Sequence, residues 1–202
     1  MSGNYEKIVR NNLSILFQKG IADLASRLPA LHQENQLEFR AFGNPCLLFP
    51  DRILINGEEE TGVLGILITL YAIHADFREC RVEPLKAFKE LPNSAPYAGA
   101  FSVRAQQILV PHVDSIQKHQ DKVMERFGSE SKPSSAGGDF SFILYPLPKI
   151  ALCYIFHLAD DDFQASATCL FSNNATSFAP IDALADTAEY TSKEILRIIS
   201  RI

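Results

Sequence analysis

The order of apolar and polar positions divides the chain into a helical start, a run of short strands, a helical middle, and a strand-rich end closed by one more helix. Tyr5, Ile8, Val9, Leu13, Leu16, Ile21, Leu24 and Leu28 recur with helical spacing, which predicts helix over 4–28 with a break at Gly20 and a stop at Pro29. Apolar runs at 37–42, 46–49 and 53–55 follow. They are separated by Gly43-Asn44-Pro45, Pro50-Asp51 and Asn56-Gly57, and so predict a short antiparallel meander. Glu58-Glu59-Glu60-Thr61 then opens the apolar run 62–75, with the acids complementing a helix dipole and Thr61 as its cap. That run is about 14 residues long, short of the roughly 20 a bilayer needs, so a buried core helix is expected and no membrane partner.

Residues 76–96 are rich in turn formers, with one short strand expected around 85–88. A helical pattern resumes at Ala98, and Pro111 divides it into about 98–109 and 111–127, because proline fits a first helical turn and not an interior. The stretch 128–139 is dominated by Gly, Ser and Pro and is expected to be a flexible loop within a single domain rather than a boundary. Beyond it, three strands are expected over 140–171. Ile150 to Phe156 is apolar on both faces and is therefore expected to be central. Phe163, Ala165, Ala167, Cys169 and Phe171 alternate with polar residues and predict a strand with one wet side. Pro180 starts a last helix whose apolar stripe, Ile181, Leu184, Ala188, Ile195, Ile198 and Ile202, docks on the sheet. The fold class expected is α+β, an N-terminal meander plus a C-terminal three-strand segment packed with about five helices.

Composition narrows the partners. A formal net charge of −5 with no dense Lys/Arg stripe argues against nucleic acid. Fourteen Phe without a Trp suggest core packing. The start of the chain shows no secretory pattern, and Cys46, Cys80, Cys153 and Cys169 form no CxxC. A reducing cytoplasm and no structural metal are therefore expected.

No motif compels a chemistry. Asp160-Asp161-Asp162 lacks the alternating ligands, glycine and closing glutamate of a calcium loop and reads as a hairpin turn. HExxH, GxSxG and the phosphate-binding glycine loops are absent from the sequence. His157, at the end of the central strand beside that turn, could shuttle a proton with an aspartate, although a rim pair of this kind is mostly structural. Arg104 could hold a carboxylate or phosphate through its planar fork. The polar candidates for a ligand site are Tyr97, Arg104, Asp139, His157 and Asp162.

One resemblance adds to this reading. Glu90-Leu91-Pro92, Tyr97, Phe101, Arg104, Gly138-Asp139-Phe140, Pro146-Leu147-Pro148-Lys149-Ile150, Asp161-Asp162-Phe163 and Leu170-Phe171 occur in an order and spacing similar to domain of unknown function 3786, over roughly 62–202. The family is uncharacterised. Some members are labelled PAS/PAC sensor proteins, and some carry the domain behind an iron–sulfur segment. Asn93-Ser94 and Ser172 depart from the expected glycine pair and aspartate, and no cysteine cluster precedes the domain, so no cofactor is carried over. Two functional expectations result. The first is a non-catalytic module binding a small ligand or a protein, in a setting of anaerobic redox or one-carbon metabolism as the resemblance implies. The second is an enzyme with a dispersed site including Arg104, Asp139, His157 and Asp162.

Overall fold

Gly20, at φ 86°, cannot continue a right-handed helix, and it splits the N-terminal pattern into α1 (Ser2–Phe17) and α2 (Ile21–Arg27). The computed structural model describes residues 2–18, 20–129 and 137–200. The meander follows as five antiparallel strands in sequence order: β1 (Leu31–Gln33), β2 (Gln36–Ala41), β3 (Asn44–Leu48), β4 (Ile53–Ile55) and β5 (Glu58–Glu59). Two tight turns set its register. Phe42-Gly43 and Asn56-Gly57 both take positive φ at each central residue, the mirror-image turns whose twist suits a hairpin.

The acidic run does not serve as a helix lead-in. Glu58 and Glu59 form β5, and the backbone N–H of Gly62, not a Thr61 cap, is bound by Glu60 Oε1 at 2.6 Å. The apolar helix α3 (Val63–His74) packs against α1. No helix among the described residues is long and apolar enough to cross a membrane.

A second antiparallel sheet has strand order β6-β9-β8-β7, with β6 (Lys86–Ala87), β7 (Phe140–Leu147), β8 (Ile150–His157) and β9 (Ser166–Phe171). The central place expected for 150–156 is occupied by β8. Its Ile150, Leu152, Tyr154 and Phe156 enter the main core, while Ala151 and Cys153 join a second cluster under Cys80, Val82 and Leu85. The irregular segment before β6 therefore covers the sheet's other face. The third strand begins three residues later than its alternation suggested: Phe163 lies in the turn and is 73% exposed. Asp160 Oδ1 fixes that turn by accepting the backbone N–H groups of Asp162 and Phe163.

The two helices expected on either side of Pro111 take another form. A four-residue helix α4 (Ala98–Phe101) widens into a π turn (Ser102–Gln106), then tightens into a 3₁₀ stretch (Gln107–His112) that contains Pro111, and only then does α5 (Val113–Arg126) begin. Proline lacks the N–H that an α-helix interior needs, so the chain changes its winding there. Helix α6 (Ile181–Ser200) closes the domain and buries Leu184, Ala188 and Ile195. Most of the expected loop 128–139, residues 130–136, lies outside the described residues, as does Ile202 of the α6 stripe.

Candidate functional site

The irregular segment 88–112 and the neighbouring edge of β9 form an apolar cleft. Phe88 leads a 3₁₀ turn (Phe88–Glu90) fastened by Glu90 Oε2, which accepts the Ala87 N–H at 2.6 Å. Its ring stacks on that of Phe101 at 4.3 Å and 12°, and each lies 5.7 Å from Phe171. Beside this trio opens a cleft of about 360 Å³, whose remaining wall includes Ala98, Ser102, Gln106, Thr168, Cys169 and Leu170. A volume in this range suits a small organic ligand.

One amide organises its polar side. The short strand β6 pairs only with Phe171 and Leu170, so β9 runs on beyond its partner. Gln106 Oε1 accepts the Cys169 N–H at 3.0 Å, standing where the carbonyl of another strand would stand. The Gln106 Nε2 has no acceptor among the described residues and is one donor a ligand would meet, with the exposed Lys89 and the Ser102 and Thr168 hydroxyls also in the lining. Cys169 supplies no charge, because burial pushes its thiol well above the usual range. Behind the cleft, Ser192 Oγ donates to Ala105 O at 2.6 Å, which leaves Tyr154 Oη to donate to Ser192 Oγ at 3.0 Å. This chain ties the π turn to α6 and to β8.

Of the five polar residues singled out in the sequence, the structure brings two together. Tyr97 and Arg104 line a small recess of about 110 Å³ on the other side of Phe101, with Ala185, Asp186 and Glu189 of α6. The Arg104 fork is exposed and lies 3.6 Å from Glu189 Oε2, while Glu189 Oε1 binds Lys193 at 2.5 Å. Asp139, His157 and Asp162 are elsewhere. Phe101 packs on Phe171, which pairs with Leu152, and His157 lies five residues further along β8, about 17 Å away at the usual strand rise. There Asp139 Oδ2 accepts the Leu158 N–H at 2.7 Å, closing the rim of the sheet, and His157 is exposed with no hydrogen bond to either aspartate among the described residues. Phe88 and Gln106 carried no sequence signal as site residues, since their proximity depends on a pairing of distant segments.

The recess makes one pH prediction. Partial burial, then the Glu189 and Asp182 carboxylates, raise the Asp186 pKa. The folded state thus holds that proton more tightly than the unfolded one, so stability falls as pH rises from the ordinary carboxylate range through the raised value. Asp186→Asn is expected to raise the melting temperature slightly at pH 7, and to leave it unchanged at about pH 2.5, where the aspartate is protonated in both the folded and the unfolded chain. Melting curves at the two pH values check this.

A larger cleft, about 480 Å³, lies between the meander and α6 and is lined by Glu58, Glu59, Glu60 and Glu194 with Phe42 and Tyr190. Several of its polar groups find partners within the protein: Asn44 Oδ1 accepts from Asn56 at 2.7 Å and from Arg126, and Glu194 binds Arg197 at 2.6 Å. Solvated carboxylates at an open cleft do not by themselves define a ligand. Among the described residues, no three His, Cys, Asp or Glu side chains group to hold a metal ion.

The fold is thus a two-sheet α+β domain with an apolar cleft at a sheet edge. The chain belongs to the family described as Domain of unknown function (DUF3786), whose model matches residues 20–194. The match begins about forty residues earlier than the resemblance quoted above, so the meander is part of the family's domain. No curated protein and no solved structure matches the chain.

Proposed function

We propose that the protein is a non-catalytic binding module and that the cleft beside the Phe88–Phe101 pair takes a small, mainly apolar ligand with at least one hydrogen-bond acceptor. One observation carries this reading: a concave, carbon-lined wall of stacked rings presents a single uncommitted amide donor, Gln106 Nε2. Stacked rings offer a planar or aliphatic body a rigid surface, and the amide selects its orientation. The enzyme reading draws less support, since Tyr97 and Arg104 line a recess against α6 that includes none of Asp139, His157 and Asp162. Proton transfer needs its groups within hydrogen-bond reach of one reacting atom.

The setting implied by the family resemblance, anaerobic redox or one-carbon metabolism, guides the test. Protein purified without oxygen is expected to carry a non-covalent adduct in native mass spectrometry. Ala98→Phe, which fills the cleft from α4, is expected to remove it. A clean mass for the wild type, or an adduct that persists in the variant, would count against this site.

A further inference from the structure

Away from the cleft, two cations and a phenol meet beneath the surface with donors to spare. Arg27, at the end of α2, is 7% exposed, and Lys149, in the turn between β7 and β8, is 5% exposed. Arg27 Nη1 donates to Ala75 O at 3.2 Å and Lys149 Nζ donates to the next carbonyl, Asp76 O, at 2.5 Å. Both side chains therefore converge on the same two residues just past α3. Tyr71, one turn earlier on α3, is fully buried beside them.

These donors exceed the acceptors present. Arg27 Nη2 and Tyr71 Oη are buried without a hydrogen-bond partner. The Lys149 backbone N–H approaches Tyr71 Oη, but as a donor it leaves the phenolic proton itself without an acceptor. Lys149 Nζ has used one of its three N–H groups. The nearby carboxylates leave this need unmet. Asp23 lies 2.9 Å from Arg27 Nε, on the edge of the guanidinium that Nε shares with Nη2, yet Nη2 has no hydrogen bond to it; Asp76 is held by Arg78 Nε at 2.5 Å, and Glu79 is exposed. Burial holds the Lys149 ammonium below its ordinary pKa against the pull of Asp76 and Glu79, and Arg27 pushes in the same direction as burial. Like charges brought together out of water call for a counter-charge between them.

We propose that Arg27, Tyr71 and Lys149 form a binding site for one small oxyanion, a carboxylate or a phosphate group. Its oxygens would accept from Arg27 Nη2, from Tyr71 Oη and from the free N–H groups of Lys149 Nζ, three donors delivered by three separate elements. Residues 75–85, which carry the Ala75 and Asp76 carbonyls, form neither helix nor strand between α3 and β6.

Calorimetric titration of the full-length protein with sodium acetate and, separately, sodium phosphate tests this, with ionic strength fixed by sodium chloride. Saturable one-to-one binding of either probe is expected, and the probe that binds assigns the class. Tyr71→Phe deletes only an oxygen that has no acceptor in the free protein, so it is expected to fold with an undiminished melting temperature and to bind about fivefold more weakly, as one lost hydrogen bond implies. Lys149→Met is expected to abolish binding. The proposal is overturned if neither probe binds, or if either binds as tightly to Tyr71→Phe as to the wild type.

Discussion

Truncation of Phe156 to alanine is expected to lower the unfolding free energy by about 3–5 kcal/mol, the largest loss for any single side chain considered. Phe156 lies near the end of β8 with no exposed area, and its ring meets three others: Phe140 stacked at 4.7 Å, Phe142 at 5.4 Å and Tyr154 at 6.3 Å. A close-packed cluster built on a sheet cannot collapse into the space, because the rings stand on hydrogen-bonded strands, and so the lost transfer energy is joined by a cavity. Urea unfolding followed by far-ultraviolet circular dichroism measures it. Phe163→Ala is the control. That ring is 73% exposed in the turn before β9, and its loss is expected to stay within about 0.5 kcal/mol. Equal losses for the two variants would place Phe163 in the strand and defeat this account of the sheet.

Gly138→Ala is expected to cost about 2–3 kcal/mol, through the backbone rather than the core. Gly138 sits at φ +92°, immediately before β7, where an added Cβ would stand 2.7 Å from Phe156 O and 2.6 Å from Ile155 Cγ2. The Ile155 methyl could rotate away. The Phe156 carbonyl cannot, because it belongs to β8 and already accepts the Asp139 N–H at 2.9 Å. The adjacent residue supplies the contrast. A Cβ at Gly137 would meet nothing within 4 Å, so Gly137→Ala is expected to be nearly neutral. Melting temperatures of the two variants, one residue apart, separate a steric requirement from a general dislike of alanine in this loop. If both melt with the wild type, the close approach of the β7 entrance to β8 is wrong.

Local patterning made much of the fold legible. Alternation and two-faced apolarity identified β8 as central, and the structure covers it on both sides, by the main core and by the Cys80–Leu85 segment. Asn56-Gly57 marked a turn because only certain residues tolerate two successive positive φ values. What misled was equally physical. Glu58 and Glu59 are poor strand formers by type, yet they pair with Ile55 and Leu54 because the Asn56-Gly57 turn folds them back onto an existing edge. The helical spacing over 98–109 was real, but the chain widens into a π turn over Ser102–Gln106 and tightens into a 3₁₀ stretch around Pro111, changes of winding that periodicity does not encode.

The sequence by itself determined the α+β class, the rank of the C-terminal strands, the aspartate turn and the family, since each rests on interactions between near neighbours or on motif order. Only the tertiary structure decided the site. It set Arg104 in a recess against α6 that includes none of Asp139, His157 and Asp162, and it placed Gln106 against the open edge of β9, 63 residues away. It also buried Arg27, Tyr71 and Lys149 around the end of α3. A one-dimensional pattern reports which face a side chain turns inward; which distant donors then find themselves short of acceptors depends on how the faces are packed.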